Sequence, residues 1–255
     1  MAQQKSMQKL KGTVGDATYY KSKDGHFVRE KGGINKARMQ TDPLFERTRE
    51  NWTEFGVAGR AGKLIRAAFL PLLKTTADGR VTSRLLKQLM LVVKSDSVNA
   101  RGERHVATGD LSLLAGFEFN VNAVLGNSLY APFTATIDRA TGQISVAFPS
   151  FIPAKLVSAP ISATHFRIIT AAAEIDFIKE EYAVSIQNSA EVSLKIAGTE
   201  AINLQNSVTA NSRQALLLVM GIEFYQEVNG RMYLLRDGGF NALSLIKVES
   251  SITTP

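Results

Sequence analysis

Residues 213–250, "RQALLLVMGIEFYQEVNGRMYLLRDGGFNALSLIKVES", decide the fold of this chain. The stretch opens with a long apolar run, which Asn229 and Gly230 separate from a second β-prone piece. An Asn-Gly pair favours the type I′ turn that closes a tight hairpin. A further Asp-Gly-Gly turn at 237–239 precedes another apolar segment. The pattern therefore predicts three consecutive antiparallel strands.

The region before this stretch alternates apolar and polar residues in the same way. Strand patterns occur at 133–148, which has a glycine turn in its middle, at 164–177 and at 182–198. Seven to nine short strands with glycine turns and no intervening helix are typical of two packed antiparallel sheets. We therefore predict that residues 105–255 form an antiparallel β-sandwich, Ig-like or jelly-roll-like.

A helical region at 43–104 precedes the strands. Asp42 is a good N-cap and Pro43 suits the first helical position, so a helix is predicted to begin here. Residues spaced by sums of three and four are predicted to share one side of it: Phe45, Trp52, Phe55, Gly59, Gly62, Phe69 and Leu73. The helix is either continuous or broken near its glycines.

A second amphipathic helix is predicted after a turn at 75–80, so the pattern predicts a helical hairpin in this region. The side chains expected to face inward are Leu85, Leu86, Leu89, Met90 and Val93. Whether these helices share a core with the sandwich stays open.

The first 42 residues form a lysine-rich, glycine-punctuated arm. Asp24 and Gly25 lie between two β-prone pieces and predict a hairpin closed by a type I′ turn. A lone hairpin is marginal in water, so we expect the arm to pack on another surface. The predicted fold class is thus α+β, with an arm at 1–42, helices at 43–104 and a sandwich at 105–255.

Charge is distributed unevenly along the 255 residues. Residues 1–104 hold 21 Lys+Arg against 10 Asp+Glu, a net charge of +11, whereas residues 105–255 hold 9 against 13, a net charge of −4. Such asymmetry indicates a basic surface that meets something anionic. Nucleic acid and an acidic surface on a neighbouring subunit both fit.

The absence of cysteine excludes disulfides, thiolate metal sites and thiol nucleophiles, and it suits a reducing cytosol. No apolar run resembles a signal peptide or a membrane span. The expected location is therefore the cytoplasm or a virion.

The sequence "EFGVAGRAGKLIRAAF" places Gly56, Gly59 and Gly62 three residues apart. A Walker phosphate loop would need glycine where Val57 stands and a hydroxyl residue where Leu64 stands. The glycines instead predict a helix surface of small residues for close helix packing, because each glycine costs a helix about 1 kcal/mol relative to alanine. A plain kink is the alternative.

Catalytic signatures are missing from the sequence. His26, His105 and His165 have no metal-ligand spacing, and no Gly-x-Ser-x-Gly elbow occurs. We therefore expect no enzyme activity, no metal and no cofactor.

The arm combines cations with aromatic side chains, a mixture that neutralises phosphates and stacks on bases. Its predicted subunit or nucleic-acid contacts are Lys11, Tyr19, Tyr20, Lys21, Lys23, Phe27, Arg29, Lys31 and Arg38. A charged helix face with the same role is predicted from Arg47, Arg49, Arg60, Lys63 and Arg66. An arm that docks on an acidic neighbouring subunit, with its aromatic side chains filling a groove there, is favoured over nucleic-acid contact, because residues 105–255 carry the complementary net charge of −4.

The segments "KGTVGDATYYKSKDGHFVREKGG" and "DPLFERTRENWTEFGVAGRAGKLIRAAF" together resemble a group of uncharacterised proteins encoded in Bacteroidota genomes and their phages. The resemblance covers residues 11–70. It implies a Gly-rich basic start, a helical segment and a β-rich C-terminal half, and it carries no functional residues.

Together these features predict a non-enzymatic structural protein that self-assembles into a larger particle, tube or filament of phage or phage-like origin. Its partners are copies of itself, with the N-terminal arm tying neighbouring subunits and no membrane span. The alternative is a nucleic-acid-binding protein that uses the arm and helices on phosphates. An enzyme or a carbohydrate-binding sandwich ranks third.

Overall fold

The computed structural model describes residues 2–30, 36–236 and 238–252. The fold is α+β, with helices and antiparallel sheets, which confirms the predicted class. The chain divides into two compact units, Met1–Glu50 and Asn51–Pro255.

The N-terminal unit contains a four-stranded antiparallel sheet with the strand order β1-β4-β3-β2. Its strands are β1 (Ala2–Gln3), β2 (Gly12–Val14), β3 (Ala17–Ser22) and β4 (Gly25–Glu30). A short helix, α1 (Lys36–Thr41), follows. The predicted hairpin is confirmed as β3 and β4, and two further strands widen it into a sheet.

The turn between β3 and β4 differs from the predicted type I′ turn. Ser22 pairs with Gly25, so Lys23 and Asp24 occupy the loop and Gly25, with φ +127°, begins β4. A type I′ turn needs positive φ at both central residues. Neither Lys23 nor Asp24 has a positive φ, so the predicted turn type is wrong.

Three helices follow: α2 (Glu46–Ala68), α3 (Leu70–Thr76) and α4 (Val81–Ser95). The predicted start is confirmed, because the Asp42 side chain accepts a hydrogen bond from the Leu44 N–H at 3.0 Å and caps a 3-10 turn that leads into α2. The break lies at Phe69, whereas the predicted alternative was a break near the glycines. Pro71 explains this position, since proline lacks an N–H and clashes with the carbonyl four residues earlier.

The predicted inner side of this region is confirmed at Gly62, Phe69 and Leu73, which are buried, and is wrong for two large aromatic residues. Trp52 is 47% exposed and Phe55 is 54% exposed. The buried stripe consists instead of Ala58, Ala61, Gly62, Leu64, Ile65 and Ala68. Small side chains let this helix lie close to its neighbours, and the large rings point outward.

The inward face of α4 is confirmed. Leu85, Leu89 and Val93 are buried, and the partly buried Leu86 and Met90 pack against the same core.

The C-terminal half is built from two antiparallel sheets. Its elements are β5 (Phe117–Glu118), α5 (Leu125–Ser128), β6 (Thr134–Asp138), β7 (Gln143–Phe148), α6 (Pro153–Leu156), β8 (His165–Asp176), β9 (Glu181–Asn188), β10 (Val192–Ser193), β11 (Ile202–Ser207), β12 (Ala215–Val228), β13 (Arg231–Leu234) and β14 (Ala242–Glu249). The seven-stranded sheet has the order β10-β8-β12-β14-β5, with β9 paired to β8 and β13 to β12. The three-stranded sheet has the order β11-β7-β6.

The deciding stretch of the sequence forms β12, β13 and β14, as predicted. Asn229 and Gly230 have φ values of 52° and 75°, so the tight hairpin turn is confirmed. Asp237 of the second predicted turn lies outside the described residues, while Gly238 and Gly239 lie in a turn.

Strand β12 is buried on both faces from Ala215 to Tyr225, which explains its unbroken apolar run. One face packs against the helices, in a cluster that joins Ile65 and Leu89 to Leu217. The other face packs against the three-stranded sheet. The helices therefore share a core with the large sheet. The predicted Ig-like or jelly-roll-like sandwich did not include this third layer.

Candidate assembly surface

The N-terminal sheet has no buried residue among residues 2–30. Every side chain in this range is exposed or half-buried. A small sheet gains stability mainly when an apolar face is covered, either by further strands or by another surface. This sheet therefore has no buried core of its own within the described residues.

One face of the N-terminal sheet, called here the apolar face, follows from strand alternation and register. It carries the side chains of Ala2, Val14, Ala17, Tyr19 and Val28, and the same alternation places Lys21, His26 and Glu30 on this face toward the ends of β3 and β4. Val14 is 67% exposed. The predicted contact residue Tyr19 thus lies among aliphatic side chains at the centre of this face, with the ionisable Lys21, His26 and Glu30 around them.

The opposite face, called here the aromatic face, brings three predicted contact residues together. The rings of Tyr20 and Phe27 stack with centroids 6.0 Å apart, and the Arg29 guanidinium carbon lies 5.7 Å from the Tyr20 centroid. Such cation–π contacts contribute about 0.5–1 kcal/mol at exposed sites. The cluster stabilises the hairpin and leaves one set of ring faces exposed.

The predicted lysines differ in their positions: Lys11 precedes β2, Lys21 lies within β3 and Lys23 lies in the loop between β3 and β4. Lys11, Lys21 and Lys23 are exposed, and Lys31 lies outside the described residues. Arg38 pairs with Asp42 at 3.1 Å on the following helix, away from the sheet itself.

The cations at the start of α2 have partners inside the chain. Arg47 pairs with Glu50 at 3.0 Å. Arg49 donates hydrogen bonds to the backbone oxygens of Met39 at 3.0 Å and Asp42 at 2.9 Å, which fastens α1 to α2. Arg49 thus has a structural role in holding these two helices together.

Of the cations farther along α2, only some are free to contact an anionic partner outside the chain. Arg60 pairs with Glu180 at 2.9 Å, and the Arg66 Nε donates to the Gly62 oxygen at 3.1 Å. Lys63 is exposed and has no partner within the described part of the chain. The five predicted helix cations are therefore not assembled into one open cationic face.

The three glycines of α2 meet different surroundings. Gly62 is buried, and a Cβ on it would lie 3.2 Å from Leu89 Cδ1 on α4. A Cβ on Gly59 would have open space, and one on Gly56 would meet only the Arg60 Nη1 at 3.6 Å. Close helix packing thus involves Gly62, while the other two face outward.

A groove between the two sheets of the C-terminal half was missed by sequence reasoning. Its volume is about 480 Å³, and its walls are residues 188–193, Ile196 and residues 199–204. Glu191 and Glu200 are the ionisable residues that line it, and no lysine or arginine is among its lining residues. The groove arises from the packing of one sheet on another, so strand alternation alone gives no signal for it.

A charged cluster lies on the helix-facing side of the large sheet. Glu223 is buried and accepts hydrogen bonds from Arg167 at 2.8 Å, Tyr225 at 3.0 Å and Thr75 at 2.9 Å. Burial and the nearby Glu223 carboxylate raise the pKa of the Tyr225 phenol above its usual value. The phenol therefore stays protonated as a donor, and the cluster ties α3 to the sheet.

The three histidines are dispersed. His26 lies in β4, the His105 N–H donates to Asp96 at 3.0 Å, and the His165 Nδ1 lies 3.0 Å from the Thr164 hydroxyl. Within residues 2–30, 36–236 and 238–252, no group of three or more His, Asp or Glu side chains is arranged to hold a metal ion.

Comparison of the chain with protein-family models, with curated proteins and with solved structures found no match. Across the residues that the structure describes, no helix has the length and apolar character needed to cross a membrane.

Proposed function

We propose that this chain is a non-enzymatic structural protein that assembles with copies of itself into a larger particle, tube or filament of phage-like type. In this proposal the N-terminal sheet ties neighbouring subunits. The observation that carries the proposal is the lack of any buried residue among residues 2–30, although these residues form four paired strands.

The need for a covering surface supports self-assembly. Burial of apolar area contributes about 25 cal/mol per Å², and stable protein interfaces bury about 800 Å² on each partner. The aliphatic side chains of the apolar face contribute little to the free energy of folding while they remain exposed to water. A second subunit supplies the apolar cover that the sheet lacks in its own strands.

Charge favours a copy of this chain as the partner. The N-terminal unit holds 11 Lys+Arg against 6 Asp+Glu, whereas residues 105–255 have a net charge of −4. Complementary potentials steer association and fix orientation. The resemblance of residues 11–70 to phage-associated proteins supports the phage-like setting of the proposal.

A second candidate function, nucleic-acid binding, is favoured by the aromatic face alone. Tyr20 and Phe27 offer rings for base stacking, and Arg29 adds a cation. The helix cations give this candidate less support, because Arg47, Arg49, Arg60 and Arg66 have partners within the chain.

Light scattering of the purified, nuclease-treated protein at moderate salt tests the proposal, together with electron microscopy of the same sample. We expect large homogeneous assemblies without nucleic acid. A monomer with an affinity for single-stranded nucleic acid that falls steeply with salt would instead support the second candidate.

A further inference from the structure

The strand β2 is the outermost strand of the N-terminal sheet, so one of its backbone edges has no strand partner within the described residues. Such an edge readily pairs with another strand. Lys5, Lys9 and Lys11 precede it in the sequence. Lys11 is exposed and has no hydrogen-bond or ion-pair partner in the described part of the chain.

A matching edge lies in the C-terminal half. Strand β11 is the outermost strand of the three-stranded sheet. At its C-terminal end it meets β9, where the Ser207 N–H donates to the Ser185 hydroxyl at 3.3 Å. At its N-terminal end, Ile202–Leu204 line the groove of about 480 Å³ instead. Three residues of β11 thus line the groove, the same number as β2 contains.

The groove also suits a basic occupant with apolar side chains. Its ionisable lining residues are Glu191, which pairs with Arg167 at 3.3 Å, and Glu200, which has no hydrogen-bond or ion-pair partner within the described residues. Val192 and Ile202 supply apolar lining. A short strand with a valine and a preceding lysine satisfies both requirements.

We propose that the groove between β9–β10 and β11 receives strand β2 of a second copy of this chain, which extends the three-stranded sheet across the subunit boundary. Lys11 then lies beside the glutamates of the groove. This inference rests on the proposed self-assembly and names the surface that accepts the N-terminal sheet.

Intermolecular cross-linking tests the contact directly, because the chain has no natural cysteine. A Lys11→Cys chain is mixed with an isotopically labelled Glu200→Cys chain, and the mixture is treated with a short bismaleimide. We expect a cross-linked dimer that contains one chain of each kind, as shown by mass spectrometry. Circular dichroism checks that both exposed substitutions leave the fold unchanged.

The matched control replaces Glu200→Cys with Glu181→Cys. Glu181 is also an exposed glutamate on a sheet edge, but seven strand residues, about 23 Å, separate it from Asn188 at the groove. We expect at least about tenfold less mixed dimer with this control, since cross-linking needs short separations.

A charge swap gives a second measurement that needs no reagent. Lys11→Glu and Glu200→Lys should each weaken self-association about two- to tenfold, and the double variant should restore most of the loss. Equal mixed-dimer yields from both cysteine pairs in protein that still assembles would overturn this inference and leave the proposed function standing. A chain that stays monomeric would overturn both.

Discussion

Gly62 of α2 lies directly against Leu89 of α4, so close that a Cβ on the glycine would come within 3.2 Å of the leucine Cδ1. Gly59, one turn earlier on α2, has nothing within 4 Å of its Cβ position. The two glycines therefore provide a matched pair for separating helix propensity from packing.

We expect Gly62→Val to destabilise the protein by about 1–3 kcal/mol, because the branched side chain would push α2 away from α4. Gly59→Ala should instead stabilise the isolated chain by about 0.5–1 kcal/mol, since alanine favours a helix over glycine. Urea denaturation of the two variants checks both signs. A stabilising Gly62→Val would show that the helices do not pack as closely as described.

Asp96 should make the free energy of unfolding depend on pH in the acidic range. Thr108, Asn99 and His105 donate hydrogen bonds to its buried carboxylate at 2.6–3.0 Å, and these bonds hold its pKa well below the usual range despite burial. Because the folded-state pKa lies below the unfolded value of about 3.9, this stabilisation is present above pH 4 and is lost as pH falls through the folded-state pKa.

The Asp96→Ala variant should therefore lose about 2–4 kcal/mol at pH 7, where the wild-type carboxylate is charged and fully bonded. Its stability should fall less steeply below pH 4 than that of the wild type. Thermal unfolding followed from pH 7 to pH 2 measures the difference. Parallel curves for the two proteins would contradict the assignment.

Glu223 should be important for the junction of α3 with the large sheet. Removal of its side chain in Glu223→Ala leaves the Tyr225 hydroxyl without its acceptor and leaves Arg167 with only its exposed ion pair to Glu191, and we expect a loss of about 2–4 kcal/mol. Glu223→Gln keeps the shape and part of the hydrogen bonding and should cost less. Calorimetry of the two variants checks the order.

The apolar face of the N-terminal sheet should control assembly. Val28→Asp places a charge in the surface that we propose is covered by another subunit, and self-association should weaken more than about tenfold. Tyr20→Ser, on the aromatic face, serves as the matched control and should change assembly much less. Analytical ultracentrifugation separates the two, and equal effects would count against a specific role for the apolar face.

Local signals predicted the features that depend on neighbouring residues. The Asn229-Gly230 turn and the inward face of α4 followed from the sequence because turn chemistry and a strong apolar stripe fix them locally. The turn before Gly25 was misplaced by one residue, since hairpin register is set by pairing across the strands as well as by the turn residues.

Features that depend on tertiary packing could not be predicted. The spacing of Trp52 and Phe55 indicates a helix side, but it does not say that the smaller Ala58 and Ala61 form the buried one. The groove beside Glu200 exists only because β11 packs across the edge of another sheet. The role that we propose for the arm likewise depends on molecules outside the chain.

Strand β12 contributes alternate side chains to both hydrophobic clusters of the C-terminal unit. If either the helical layer or the three-stranded sheet separated from the large sheet, apolar side chains of β12 would be exposed to water. We therefore expect the three layers of the C-terminal unit to unfold together rather than one after another.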